Sequence, residues 1–478
     1  MKRRDFLHRA AIGGAALAAT EFGKLAMPTD AMAFGTGGGL DILEALDMIE
    51  RRKAKNFMPE IRPEILNNPR AVFLIETDVK AARDSRGFFT EARSQLNTTG
   101  KSVASDIFTK GSRKGGSTMI RPNFTSTPDN VLSPVVGIIT SPDFIAGFND
   151  GLHEIGNTNV ITSARGSSVR AHRKTDIYST FDAVGLDLIE ANYKRFSHYD
   201  KKELNWNKVP DPKVWKNIPT TRPIGDEDNF FINMPKLKNH NLGLTTLAIK
   251  NLQGAVPTGY GHYCNQWDQL ENLCKKSYNI DFKRNFVKNY YQNVESAFLK
   301  HRAAGFKYWD YEGSYVNYEK LGGWETFKKV KDASRDNRRE FMQKVGPNLM
   351  WDEQWAQRAL DSSEAIKPDI NIIEGVIGRD GSGFDTGRDE LTNIVIAGIS
   401  IYEVDAVGTH IMGHDPKEIY YTRIAKDRKL GECDLNNIDI YWIKNGEISP
   451  VKDISEIKRH RLGVNYHTWS ETGKRLFW

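Results

Sequence analysis

The chain has 478 residues, 39% of them hydrophobic and 27% charged, with a formal net charge of +6. That length builds a large core in one elaborated domain or two. The charge is too small for a nucleic-acid footprint, and no basic run interleaved with aromatics accompanies it, so nucleic acid is excluded as an expected partner.

The first residues set themselves apart. "KRRDFL" is followed by the mildly apolar run "AAIGGAALAAT" and then by "AMA". Adjacent Arg3 and Arg4, Phe6 and Leu7 behind them, a central run too short to cross a bilayer, and Ala31 and Ala33 at cleavage spacing read as a twin-arginine signal peptide over residues 1–33. An amphipathic N-terminal helix or a retained anchor is the alternative reading. The expectation is a periplasmic or secreted protein, exported by the twin-arginine translocation machinery, with no stable membrane anchor. This leader carries five positive and three negative residues, so the remainder has a formal charge of +4.

Ile42, Leu43, Leu46 and Ile49 recur at helical spacing, and "AVFLIET" (71–77) is a short apolar strand. Residues 78–118 are polar and read as a helix with a long surface connection. "TMIRPNF" brings a strand to Arg121, Pro122 and Asn123, where proline ends the ladder. Ser141 as cap and Pro142 at the first helical position open a helix with Phe144, Ile145, Phe148, Leu152 and Ile155 on one face. "NVITSARG" is the next strand, and strand, helix, strand is the pattern of a parallel α/β unit. "NFFINM" is another buried strand ending at a lysine cluster; after it Leu244, Leu247, Ala248 and Leu252 predict a helix stopped by Gly254. Residues 261–365, rich in Tyr and Trp, read as a helical insertion or cap, because disordered segments are poor in aromatics. The α/β pattern resumes with "DINIIEGVIG", "TNIVIAGIS", the helix "YEVDAVGTHIMG", a helix opening at Asp415 with Pro416 and Glu418, and the strand "IDIYWIKNG". The fold class is therefore α/β, a mostly parallel sheet flanked by helices with an aromatic-rich helical insertion. Residues 34–260 and 366–478 form its two parts.

Open α/β sheets bind ligands outside the carboxyl ends of their strands. Arg121 with Asn123, Arg165, and Lys236 with Lys238 and His240 fall at such ends, and Lys250 and Asn251 follow on the next helix. The sign of the charge implies a small anionic or polyhydroxylated ligand. Cations sharing a cleft lower each other's pKa, so they need carboxylates or a bound anion, or one lysine serves neutral as a base or imine former. The alternative is lysines reaching into solvent on either side of a loop. "GRDGSGFDTGRDE", with Gly381, Gly383 and Asp385, reads as a third wall whose backbone approaches a ligand closely. Asp405 serves a helix N-terminus or neutralises a site lysine. His240 has no partner at ligand spacing, so no metal site is assigned, and His410 and His414 read as a helix-end pair. Tyr260, His262 and Trp267 form a lid or belong to the core. Cys264, Cys274 and Cys433 are too few for a disulfide framework and lack iron–sulfur spacing; a Cys264–Cys274 bridge stays open.

"MIRPN", "FFINMPKLKNHNLGLTTLAIKNLQGAVP" and "IIEGVIGRDGSGFDTGRDELTNIVIAGISIYEVDAVGTHIMGHDP" together resemble the domain-of-unknown-function 362 family, in that family's order, over about residues 115–260 and 365–435. The family's proline–lysine element matches Pro235, Lys236, Lys238 and His240. Its lysine–asparagine element matches Lys250, Asn251 and Gly254, its glycine-rich turn Gly378, Gly381, Gly383 and Gly387, and its aspartate Asp405. Arg121 stands where relatives commonly carry lysine. Some relatives have appended ferredoxin-type cysteine motifs, which this chain lacks. A more distant similarity, to the nickel-pincer lactate racemases, implies that Arg121 contacts an acidic substrate and that Lys236, Lys238 and His240 line a cofactor or substrate site; the histidine those enzymes carry after a strand has no counterpart in "TSARGSS".

The resemblance brings no generally assigned chemistry and names no cofactor. The expectation is an exported acid/base enzyme, of isomerase or racemase type or another kind. Lys236, Lys238, His240 and Lys250 are its catalytic candidates. Arg121, Asn123, Arg165, Asn251, Gly381, Gly383, Asp385 and Asp405 are its substrate-binding candidates. The alternatives are a non-catalytic cofactor- or ligand-binding or maturation protein, and a redox protein of iron–sulfur type.

Overall fold

The computed structural model describes residues 41–82, 89, 92–124, 137–165, 188–191, 199–212, 217–240, 244–257, 349–380, 389–460 and 462. The proposed leader, most of segment 261–365, Cys264 and Cys274, and the glycine-rich stretch 381–388 lie outside them.

In chain order the described elements are α1 (Ile42–Arg52), β1 (Glu60–Ile61), α2 (Pro63–Leu66), β2 (Val72–Glu76), α3 (Arg93–Ile107), β3 (Phe108–Thr109), β4 (Ser117–Pro122), α4 (Pro142–Glu154), β5 (Val160–Arg165), β6 (Leu188–Ala191), β7 (Leu204–Lys208), β8 (Asn217–Thr221), β9 (Asn229–Met234), β10 (Lys236–His240), β11 (Leu244–Thr246), α5 (Ala248–Asn251), α6 (Leu349–Ala365), β12 (Ile370–Arg379), β13 (Asp389–Gly398), α7 (Ile401–Ile411), α8 (Tyr420–Asp427), β14 (Ile440–Lys444) and β15 (Glu447–Pro450).

The main sheet runs β15-β14-β2-β13-β12-β9-β4-β5-β6. The pairs β12/β9, β9/β4, β4/β5 and β5/β6 are parallel, whereas β12/β13 and β13/β2 are antiparallel. The sheet is thus mostly parallel on one side, with an antiparallel insertion at its centre.

Alternate residues of each strand enter different layers, as the two-residue period of a pleated strand requires. Phe73, Ile75, Ile120, Ile232 and Ile372 pack on one face against α3 and α4. Val72, Leu74, Met119, Phe231 and Ile373 face α1, α5, α6, α7 and α8 on the other. α3 and α4 touch through their main chains: a Cβ on Gly147 would lie 1.7 Å from the Asn97 carbonyl oxygen. The α4 start is as read from the sequence, with the Ser141 hydroxyl accepting from the Phe144 amide and Pro142 in the first turn.

Three local readings are corrected. The helix anticipated from Leu244 begins instead as β11, and only Ala248–Asn251 is helical before a short 3-10 turn. Thr245 and Thr246 are β-branched and pair with β10, while the Asp405 carboxylate takes the first helical amides; both favour a late start. Asp415 caps the Lys417 amide of a 3-10 turn, Pro416–Glu418, and the helix proper starts at Tyr420. The lysine cluster lies on a strand, β10, rather than on a loop. α6, at the end of the aromatic-rich segment, sends Ala356, Ala359 and Leu360 into the core.

Candidate functional site

The site forms where neighbouring strands part. β9 pairs with β4 as far as Met234 beside Pro122. Pro235 has no N–H to give a ladder. Beyond it the chain continues as β10, which runs parallel to β12 and antiparallel to β11 instead of following β4. β4 therefore ends at Pro122 while its former partner strand goes on, and side chains from several elements converge at this rim.

Segment 137–141, which leads into α4, crosses the rim. The Ser141 amide donates to Glu374 Oε2 at 3.1 Å. The Ile138 carbonyl accepts from Lys238 Nζ at 2.7 Å. Thr140 Oγ1 accepts from the Asn123 amide and donates to the Met234 carbonyl, both at 2.9 Å. A Cβ on Gly137 would lie 2.4 Å from the Gly378 carbonyl oxygen, so only glycine passes here.

Lys236, Lys238 and His240 stand at alternate positions of β10 and share one face; they are 1%, 1% and 5% exposed. Lys236 faces Glu374 across the parallel pair and forms a buried ion pair with it. Glu374 is held further by the Val376 amide, which donates to Oε1 at 3.0 Å. Beyond a shift in register, in which β12 advances from 374 to 379 while β10 advances from 236 to 238, Lys238 pairs with Arg379, which sets two cationic residues on adjacent strands. Arg379 donates to Asp389 at 2.7 Å. Burial, with the charges of Lys250, Arg379 and Lys236 adding to it, pushes the Lys238 amine well below the ordinary lysine range. Burial and the charges of Lys250 and Lys238 likewise hold His240 well below its ordinary value. Burial raises the Asp389 carboxyl against the pull of Arg379 and Lys236.

On the opposite layer, α5 presents Lys250 and Asn251, both buried. Lys250 donates to the Gln253 side-chain oxygen. Asn251 joins a buried asparagine chain: Asn123 donates to Asn251 at 3.1 Å, Asn251 to Asn233 and to the Arg121 carbonyl at 2.9 Å, and Asn233 to Asn371 at 2.9 Å. This chain ties β4, α5, β9 and β12 together at the rim. Arg121 is 2% exposed; its Nη1 donates to the Ser163 carbonyl at 2.9 Å and hydroxyl at 3.2 Å. Gly254 packs directly on that guanidinium, since a Cβ there would lie 1.7 Å from Nη2.

Asp405 sits beneath α5 rather than among the lysines. Its oxygens accept from the Ala248 amide at 2.6 Å and the Ile249 amide at 3.0 Å, and burial raises its pKa to about 8 against those two donors. It fixes the start of the helix that carries Lys250. Arg165 is the last residue of β5, paired with Ala191. Gly381, Gly383 and Asp385 lie outside the described residues, next to Asp380, which is buried. His410 belongs to the last turn of α7 and His414 is buried just beyond it.

The residues that reading the sequence missed are Glu374, Arg379, Asn233, Asn371 and segment 137–141. Asn233, Asn371 and Glu374 had a signal: each is a polar residue inside an otherwise apolar strand, "NFFINM" or "DINIIEGVIG", and a buried polar group requires a partner. Among the described residues no group of three or more His, Cys, Asp or Glu side chains is placed to hold a metal ion, and no helix is long and apolar enough to cross a membrane.

No curated protein and no solved structure matches the chain. The family model described as Domain of unknown function (DUF362) matches residues 118–410. That match spans more than half of the sequence and includes β4, β10, α5, β12 and Asp405, so the chain belongs to the DUF362 family.

Proposed function

We propose that this protein is exported by its leader, residues 1–33, and acts as an acid/base enzyme on a small anionic or polyhydroxylated molecule bound at the rim of β4, β10 and β12. The observation that supports this most strongly is the buried like-charge pair of Lys238 and Arg379 on adjacent strands, with Lys236 and Lys250 close enough to depress Lys238. A buried cluster of cations costs stability unless carboxylates or a bound anion offset it, and perturbed groups concentrate at functional sites. Arg121, Lys250 and Arg379 supply positive charge for an anion. Lys238 and His240, both held toward their neutral forms, are the candidates for moving a proton. Lys236, paired with Glu374, contributes fixed charge, and Asn123, Asn251 and Asp405 hold the frame. Arg165, Gly381, Gly383 and Asp385 are kept as substrate-binding candidates from the sequence.

Replacing Lys238 and Lys250 together by methionine, which leaves the buried Lys236–Glu374 pair intact, tests it. Turnover across a panel of small acids, or thermal stabilisation by them, is expected to vanish while circular dichroism stays native; unchanged activity or stabilisation rejects the assignment. The near-complete burial of the same side chains also favours a second reading, a protein that retains a ligand or cofactor for a partner. Native mass spectrometry of the exported chain separates the two, since a stoichiometric ligand without turnover supports the second. It also reports export directly, through a mature N-terminus just after residue 33. For the iron–sulfur alternative, burial raises the Cys433 thiol to about 12, away from the thiolate that a cluster needs, and a colourless, iron-free preparation would eliminate it.

A further inference from the structure

We propose that Asn445 is a site of spontaneous deamidation, that docking of its turn on Asp106 and Arg62 holds the reaction in check, and that conversion to isoaspartate releases the edge strand β15. The inference is independent of the ligand reading of the rim.

Asn445 and Gly446 are the one Asn–Gly dipeptide of the chain. They form the two-residue turn between β14 and β15, since Lys444 pairs with Glu447. Both have positive φ, 52° and 79°, as a type I′ hairpin turn requires, and asparagine and glycine are the residues that tolerate it best. Asn445 is exposed, so water and hydroxide reach its amide. Glycine in the next position has no side chain to hinder attack by its own main-chain nitrogen. The residue pair that makes the turn is thus also the pair most prone to ring closure.

The step needs only water. The Gly446 nitrogen gives its proton to hydroxide and forms a C–N bond with Asn445 Cγ. The bond from Cγ to the side-chain nitrogen breaks, and that nitrogen leaves as ammonia, taking a proton from water. A second water opens the five-membered succinimide at either carbonyl, leaving aspartate or isoaspartate, with no oxidant or reductant.

The native turn is the wrong shape for this attack. With Asn445 in the left-handed region, the Gly446 nitrogen is turned away from Cγ, so the peptide plane between the two residues must swing round first. Two contacts oppose the swing. The Asp106 carboxyl takes a hydrogen bond from the Gly446 main chain, and the Gly446 carbonyl accepts from Arg62 Nη1 at 2.8 Å. Asp106 is 8% exposed on α3, and the Arg62 amide donates to the Ile107 carbonyl at 3.0 Å, so the two holding groups are fixed to one place. Isoaspartate routes the main chain through the former side chain and adds an atom to the turn, which then no longer closes in two residues. It also places a carboxylate one residue from the Asp106 contact, against redocking. β15 ends the sheet and pairs with β14, so the release stays at the edge.

The full chain and a synthetic peptide of residues 440–450 are incubated at mildly alkaline pH, and Asn445 is followed by peptide mapping that separates aspartate from isoaspartate. The native chain is expected to react about tenfold or more slowly than the peptide, as a reaction that waits for local opening does. Asp106→Ala and Arg62→Ala are each expected to bring its rate toward that of the peptide while circular dichroism stays native. A native chain as fast as the peptide, or folded variants no faster than the native chain, overturns the docking. Asn445 intact in the native chain and in both folded variants after the peptide has reacted overturns the site. Hydrogen exchange on wild-type protein, separated by charge into unmodified and isoaspartyl forms, needs no variant. Faster exchange confined to residues 440–450 of the isoaspartyl form is expected, and equal exchange in the two forms overturns the release of β15.

Discussion

Glu374→Gln perturbs the site at its most consequential contact. In the native chain the Glu374 carboxylate pairs with Lys236, and it accepts the Ser141 amide that starts α4 and the Val376 amide at the irregular point of β12. Lys236 and Glu374 are 1% and 0% exposed in their side chains, so solvent cannot replace the lost partner. Removing one member of a buried ion pair costs about 3–5 kcal/mol, because the other charge remains uncompensated. The amide gives back one oxygen acceptor but turns an N–H toward a donor, and an unsatisfied buried donor costs roughly 1–3 kcal/mol. The expected total is at the upper end of the first range, roughly 5 kcal/mol, read as a lower denaturant midpoint at unchanged slope. Lys236→Met in the Glu374→Gln background removes the stranded charge and is expected to restore at least half of the loss, a coupling of about 2 kcal/mol or more in the double-mutant cycle. A single-mutant loss under about 1 kcal/mol, or purely additive effects, would refute the buried pair.

Three further outcomes follow from the same structure. Asp405 has an ordinary pKa of 3.8 and a folded value of about 8, so the folded state holds the extra proton across that window and stability falls as pH rises through it, by up to about 1.4 kcal/mol per pH unit. Asp405→Asn cannot ionise and is expected to flatten that slope in denaturation curves taken at successive pH values. Gly254→Ala drives a methyl into the Arg121 guanidinium; a loss of about 1–3 kcal/mol is expected from overpacking, together with weaker thermal stabilisation by anions. Gly147→Ala meets the fixed Asn97 carbonyl between α3 and α4 and is expected to cost a similar amount by thermal melting while leaving the anion shift intact, since it lies in the helical layer away from the rim.

The strands and helices that pack on a single core face were readable from the sequence. β2, β4, β5, β9 and the capped helix α4 have a plain period and plain boundary residues, and they were placed to within one or two positions. What was not readable depends on contacts between residues far apart in the chain. Leu244, Leu247, Ala248 and Leu252 have helical spacing, but pairing with β10 and capture of the 248 and 249 amides by Asp405, about 150 residues later, decide the local structure. The cluster of Lys236, Lys238, His240 and Lys250 was visible as composition. Its organisation was not, because Glu374 and Arg379, which lie beside Lys236 and Lys238 on β12, are about 140 residues away and arrive through strand register. Asp405 was legible as a helix N-terminus residue or a neutraliser of a site lysine, and the structure places it under α5, accepting that helix's first amides.

The most direct test of the central claim is the protonation of the Lys238 side chain, measured by nitrogen-15 NMR of lysine Nζ and assigned by loss of the signal in Lys238→Met. An amine that gives up its proton well below the ordinary 10.5 is the result expected of a lysine buried among Lys250, Arg379 and Lys236. An ammonium that titrates near 10.5 would contradict the account.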